Sequence, residues 1–426
     1  MGTETLLTRR SLLGLIGSAT GAALVGACAP SSSGSTHGDA QATGFGFTGW
    51  SLNEASSKDA LNSLLATWAG NNHVKLRKTA FPYDNYLSQF TLQARGGELS
   101  GAAQMDIAWL GQAAALGRLV DLGTPAAQGG YTPAALTSGK ADGVQYGLPW
   151  TTASIGLIAN QDMLDQVGAK SPPATIDDFE ALLTELKATG VTPYAGSTKV
   201  TQLKDIEPWI WTFGGSIIAD GKVTLGDDGS VEAVTWYKKL YDKKLIAPDV
   251  DRFDARALFA QKKAAIYDDA ISGRGAVAAA SSDKELAKKL TPVPRPVVHA
   301  GDTPQAMLWG HVLVVFKGTG SDRATQLASW LTTDQAALTT WFEKTSYPPA
   351  TSAGLARPDV AKDTYTSRWS SLITKTARPG PFWGYPKGAQ MDTALATQVQ
   401  AALTGQASPK HAMQQAASDI KALMSS

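Results

Sequence analysis

The chain has 426 residues, 43% of them hydrophobic and 18% charged, with a formal charge of +1. That length exceeds what one hydrophobic core usually supports, so two lobes are expected. With residues 1–27 set aside, which carry Glu4, Arg9 and Arg10, basic and acidic residues are equal in number; nothing in that balance attracts nucleic acid or an acidic membrane surface, and it suits a neutral ligand.

Residues 8–13 contain the twin arginines Arg9 and Arg10, an apolar run follows, and small residues lead up to Cys28. This is the order of a secretory signal peptide, expected over 1–27. The apolar run is short and glycine-rich for a membrane-spanning helix, which needs about 20 apolar residues. Cys28 is the single cysteine, so no intramolecular disulfide forms. Val25, Gly26 and Ala27 before it are similar to the lipobox of bacterial lipoproteins. That resemblance implies lipidation of Cys28 and a location on the outer face of the cytoplasmic membrane; a buried Cys ending a cleaved signal is the alternative. Leu6 stands where a myristoylation pattern requires Ser or Thr. Residues 28–43 have little to bury and read as a flexible tether, so the folded body is expected from about Gly44.

Residues 45–50 form an expected first strand. Ser56 with Asp59 suggests a capping box before Leu61, Leu64, Leu65 and Trp68, which are spaced as on a helix. Residues 74–77 alternate like a strand, a helix is expected over 86–95 with Gly96 and Gly97 closing it, and 105–110 form a further strand. Strand and helix in alternation suggest crossover units on a largely parallel sheet. Further on, residues 146–150 lead into an apolar strand over 155–160. Thr175 and Asp178 form a capping box for a helix with Phe179, Leu182, Leu183 and Leu186 on one face, stopped by Gly190. A helix over 231–244, strands over 264–267 and 313–316, and a helix over 323–332 complete the pattern.

Several segments, in this order, resemble the family 1 extracellular solute-binding proteins of carbohydrate importers. They are Gly143-Val-Gln-Tyr-Gly-Leu-Pro-Trp150, then Ile158-Ala-Asn160-Gln-Asp162-Met-Leu164, the glycine pair after Phe213, Leu258-Phe-Ala-Gln-Lys-Lys263-Ala-Ala-Ile266, and Thr345-Ser-Tyr-Pro-Pro349. Ala159, Gln161 and Lys262 depart from the family's usual residues. The resemblance implies an α/β, two-lobe periplasmic-binding-protein-like fold with a hinged interlobe cleft. It places an N-terminal lobe in 44–148 plus 308–347 and a C-terminal lobe in 149–307 plus 348–426. The chain would cross near Pro149, near 303–309 and near 347–349. Such a protein is expected to be a monomer without cofactor or metal, to take a sugar, and to dock on ABC permease subunits when closed.

Of the twelve tryptophans, Trp68, Trp236, Trp330, Trp341 and Trp369 lie within expected helices and read as core. Trp50, Trp109, Trp150, Trp309 and Trp383 sit at strand ends or beside Gly and Pro, where binding residues gather, so each is a candidate both for stacking on a sugar and for packing. Trp211 joins them from the segment before the glycine pair. Asn53, Glu54 and Asp269 are candidate partners for hydroxyls; the alternative is a solvated helix start for Asn53 and Glu54, and an exposed loop pair with Asp268 for Asp269. Arg378 is a candidate fork for ring oxygens or a phosphate, and Tyr83 is a further candidate.

A literal G-x-G-x-x-G at Gly44, Gly46 and Gly49 opens a strand instead of following one, so it lacks the nucleotide-binding context. The five histidines are scattered without metal-ligand spacing. A secreted glycosidase is the enzyme alternative, requiring two carboxyls facing across one bond. Asp268 and Asp269, adjacent in a strand, point to opposite faces, but Glu54 meeting Asp269 across a cleft stays open. A receptor for a glycerophosphodiester or other phosphorylated solute is the remaining alternative; it needs more than one basic group, and Arg378 is the evident one.

Overall fold

Residues 44–47 alternate glycine with phenylalanine, and that alternation builds an inner strand in the computed structural model, which describes residues 44–169 and 171–425. The twin arginines, Cys28 and the expected signal and tether lie outside the described residues. Strand β1 (Gly44–Thr48) leads through helix α1 (Lys58–Asn71) to β2 (Lys75–Thr79), parallel to it, and through α2 (Tyr83–Gly96) to β3 (Ala102–Asp106) on its other side. α1 buries Leu61, Leu64, Leu65 and Trp68, and the Trp68 ring meets the edge of Phe45 at 6.0 Å. Its expected capping box at Ser56 and Asp59 does not form. The N-cap is Ser57, whose hydroxyl instead donates to the Ser51 carbonyl at 3.0 Å and ties the helix start to the turn Trp50–Leu52. α2 ends at Gly97, whose φ of 75° is open to glycine. The strand expected over 105–110 stops at Asp106, because its carboxylate accepts the Ala108 N–H at 2.9 Å and turns the chain into a short helical turn.

The remaining strands of the sheet are β4 (Gly147–Asn160), β5 (Thr192–Ala195), β6 (Ala264–Ala270), β7 (Leu290–Val293), β8 (Ala306–Val315) and β9 (Ala377–Arg378). The order is β2-β1-β3-β8-β4-β6-β5, with β7 also on β4 and β9 on β8. The two expected segments 146–150 and 155–160 are thus one strand. The sheet is mixed, not largely parallel: β1 with β2 and β3, and β6 with β5, are parallel, whereas β3–β8, β8–β4 and β4–β6 are antiparallel. The reason is connectivity, since β4 and β8 carry the chain out of the first half and back again, in opposite directions.

Two cores flank the middle of this sheet. One gathers Trp50, Tyr86, Phe90, Met105 and Val314. The other is built by α3 (Ile176–Ala188), α4 (Asp228–Asp242), and the C-terminal helices, with Phe179, Tyr194, Trp209, Trp236, Val399 and Ile420. α3 opens on the expected box: the Thr175 hydroxyl accepts the Asp178 N–H and Asp178 accepts the Thr175 N–H. α5 (Arg252–Ala260) opens on a second box, Asp251 with Asp254, that aims the next side chains. α6 (Gln335–Thr345), α7 (Gly388–Leu403) and α8 (Pro409–Met424) follow. A third cluster runs from Phe45 to Ile373 and contains residues of both halves.

A bulge interrupts the register of β4 and β8 between His311 and Val312. Alongside, Thr151 is bridged to Pro349 and its hydroxyl donates to the Pro348 carbonyl. Gly310 faces the Thr151 carbonyl so closely that a Cβ would sit 2.5 Å from it. Among the described residues no helix is long and apolar enough to cross a membrane, and no group of three or more His, Cys, Asp or Glu is placed to hold a metal ion.

Candidate ligand-binding cleft

The turn after β1 puts Trp50 at the floor between the halves, where an N–H from Ser51 donates to Gln104 Oε1 at 3.1 Å. That bond fixes the Gln104 amide, so its Nε2 donates to His311 Nδ1 at 3.1 Å and the His311 proton sits on Nε2. Burial lowers the His311 pKa to about 3, so the ring is neutral. Trp50 stands edge-on to His311 at 4.7 Å and to Tyr83 at 5.5 Å, while Trp309 stacks its edge against His311 at 4.6 Å and Tyr347 at 5.4 Å.

Opposite these rings, α5 presents Arg252 and Arg256, four residues apart and so on one face. Arg256 forks onto Asp269, Nε to Oδ2 at 2.7 Å and a terminal nitrogen to Oδ1 at 2.8 Å. Arg252 reaches both oxygens of Asp205 at 2.6 and 2.8 Å. Burial opposes the charge of Arg256, but Asp269 outweighs it and holds the guanidinium cationic. Asp268 points the other way, to Arg295 and Tyr194, as alternation along a strand requires.

Trp50, Trp309, His311 and Tyr347 on one side, and Gln202, Arg252, Arg256 and Ser272 on the other, enclose a cavity of about 30 Å³. That is room for about one water, so the two walls are nearly closed on each other. Glu54 joins the cavity from the first half. Burial and then the field of Asp269 push its carboxyl up, while Arg256 and a hydrogen bond from Tyr347 pull it down; the net direction is up. Two wall atoms have no hydrogen-bond partner, Arg252 Nε, which stands 3.9 Å from Asp269 Oδ1, and Gln202 Oε1.

Tyr83 and Gln202 also line a second, adjoining cavity of about 280 Å³, which opens between α2, the turn over 200–204 and the start of α7, and is lined as well by Asp84, Trp109, Lys204 and Asp392. Tyr83 and Trp109 lie 4.9 Å apart there, tilted by 34°, and the Tyr83 hydroxyl donates to Asp106 at 2.7 Å.

The fold thus brings together Trp50, Glu54, Tyr83, Trp109 and Trp309 of the expected residues, with Asp269 behind Arg256. It does not bring in the others. Asn53 is exposed and closes the turn that holds Trp50. Trp150 is wholly buried and stacks on Trp341 at 4.3 Å and 13°, because β4 continues through it as an interior strand. The Arg378 guanidinium lies 3.9 Å over the Trp211 ring, and Trp211 lines a separate concavity with His299 and Asp302. Trp383 is half-buried and packs its indole against Gly380, outside both cavities. Arg252, Arg256 and Gln202 were absent from the expectations. The first two carried a signal, two arginines at helical spacing, one within and one just after an Asp-x-x-Asp box; Gln202 carried none.

The chain belongs to the bacterial extracellular solute-binding proteins, whose family pattern matches residues 64–366. It resembles in fold the GacH receptor of Streptomyces glaucescens, solved unliganded and with acarbose (TM-score 0.81, 20% identity, 90% of this chain and 99% of that one). It likewise resembles an ABC transporter solute-binding protein of Thermotoga lettingae bound with α-D-tagatose (0.81, 21%, 90% and 100%) and maltose-bound MalE3 of T. maritima (0.79, 20%, 89% and 99%). These likenesses establish the two-lobe binding-protein architecture. In sequence, a binding protein of Brucella abortus is 31% identical over 146 residues, 32% of this chain. That match spans about a third of the relative's own length, 35%. The family and these neighbours are binding proteins, and the family's extracellular character makes this an exported protein.

Proposed function

We propose that this chain is the sugar receptor of an ABC importer: it captures a sugar between its lobes, returns it unchanged and docks on permease subunits when closed. The observation that carries this reading is the composition of the cleft. Aromatic rings of Trp50, Tyr83, Trp109, Trp309 and Tyr347 offer faces and edges to C–H groups. Beside them stand a donor without a hydrogen bond, Arg252 Nε, and an acceptor without one, Gln202 Oε1, and a hydroxyl satisfies both. The lobes of this reading are 44–148 plus 308–347 and 149–307 plus 348–426, hinged where β4, β8 and the Pro348–Pro349 passage run side by side. Arg252 and Arg256 do not favour a phosphorylated solute, because Asp205 and Asp269 already neutralise them. The same pairing argues against a glycosidase: Asp269 is wholly buried and both its oxygens are taken, which leaves Glu54 without a free partner carboxylate.

The reading includes a monomer exported and anchored through lipidated Cys28, released from the membrane by Cys28→Ser. Thermal melting of the purified chain against neutral sugars, amino sugars and glycerophosphodiesters tests the ligand class. A micromolar ligand at millimolar dose adds about 4 kcal/mol to stability. Stabilisation by a sugar recovered intact supports the receptor; stabilisation by phosphodiesters alone, or consumption of a sugar, overturns it.

A further inference from the structure

The cleft is uneven in charge along its length. At the inner end each arginine has its own aspartate. At the outer end the cavity is lined by Asp84 and Asp392 against Lys204. Behind Asp392, Glu207 is hydrogen-bonded to it and only 1% exposed, and Asp106 and Asp205 add their fields to the same spot. Asp205 is answered by Arg252, and Asp106 is occupied with the Tyr83 hydroxyl and the Ala108 N–H. Lys204 is left as the countercharge to both Glu207 and Asp392. Burial, reinforced by neighbouring carboxylates, raises the pKa of Asp84, Asp392 and above all Glu207, which fits a place short of positive charge.

A cluster of carboxyls alone defines no site, but an unpartnered atom here points to a ligand. Gln202, on a side chain 2% exposed, lines both cavities, and its Oε1 has no hydrogen-bond partner. That oxygen is an acceptor, and beside the Asp84 and Asp392 carboxyls the outer end asks for a donor that bears positive charge. The rings of Tyr83 and Trp109 border the same cavity, and ring faces attract cations. At the inner end Arg252 Nε asks for an acceptor, as a hydroxyl or ring oxygen supplies. We propose that the solute captured in the cleft is a hydroxylated molecule carrying a protonated amine, an amino sugar or aminocyclitol, and that its ammonium sits on Asp392 with Glu207 behind it. This rests on the sugar-receptor reading and narrows it to one chemical class; the lining repels phosphates and carboxylates.

The test is calorimetric titration of the full-length chain with pairs matched except for charge: D-glucosamine and D-glucose, D-galactosamine and D-galactose, fully deacetylated chitobiose and cellobiose. The expected result is binding of at least one amine, about ten- to hundred-fold tighter than its neutral partner, with the preference lost in Asp392→Asn and in Glu207→Gln. Those variants are also melted without ligand. Removing one of two crowded carboxyls is expected to leave the melting temperature unchanged or raise it, whereas a merely structural pair lowers it and leaves the preference intact. A neutral sugar that binds as tightly as its amine partner overturns the amine and leaves the sugar receptor standing. Silence across every pair, with a glycerophosphodiester bound instead, overturns both.

Discussion

Arg256 and Asp269 grip each other through two parallel bonds, one at 2.7 Å and one at 2.8 Å, at the interface between the helix α5 and the strand β6. The carboxylate is wholly buried and takes a third bond from the Ala270 N–H at 2.8 Å. Removing one partner strands the other charge. Asp269→Ala is therefore expected to cost about 3–5 kcal/mol, and the double change with Arg256→Met to cost less than the sum of the two singles. Urea unfolding of the four proteins measures both; additive losses would mean that the pair is not an energetic unit.

Two tryptophans separate binding from packing. Trp309 lines the inner cavity, so Trp309→Ala is expected to weaken the ligand roughly ten-fold. Trp150 stacks in the core, so Trp150→Ala is expected to cost about 3–5 kcal/mol in stability and to leave the dissociation constant of the folded fraction unchanged. Titration and melting on both variants check the contrast.

His311 makes stability depend on pH in one direction. Its pKa is held at about 3 in the fold against 6.5 for the free side chain. Below 6.5 the unfolded chain takes up a proton that the folded chain refuses until about pH 3, so stability is lost as pH falls through that window. Carboxyls such as Glu54, raised in the fold, act in the opposite sense over their own range. The difference between wild type and His311→Gln isolates the histidine. The acid loss is expected to shrink in the variant by several kcal/mol, since each pH step of one across that window is worth about 1.4 kcal/mol. Equal pH profiles of unfolding free energy would refute it.

Arg378 lies over Trp211 on an exposed surface away from both cavities. Arg378→Ala is expected to cost about 0.5–1 kcal/mol of stability and to leave ligand affinity as it was. A ten-fold loss of affinity would place the arginine in the cleft after all.

Local signals carried much of this architecture. α3 is legible from its Thr175–Asp178 box, its apolar face and Gly190, and the alternation of Asp268 and Asp269 follows from strand geometry alone. Trp50, Glu54 and Trp309 were legible as candidates because chain ends of strands collect binding residues. Trp150 looked the same in sequence, beside Pro149, yet β4 runs on through it. What distinguishes the two is Trp341, nearly two hundred residues away in α6. Gln202 and Asp392 had no local mark, since their position depends on how α7 packs against the turn before Glu207. The antiparallel middle of the sheet was hidden for the same reason: strand direction follows from the route between lobes, which no short pattern encodes.

β4 is a single hydrogen-bonded strand whose ladder partners, β8, β6 and β7, belong to both sides of the cleft. Melting either side tears bonds from the strand that the other side needs, and the core that runs from Phe45 to Ile373 exposes apolar surface from both at once. The two sides are therefore expected to unravel together as one cooperative unit, so that unfolding followed at probes on either side gives coincident transitions.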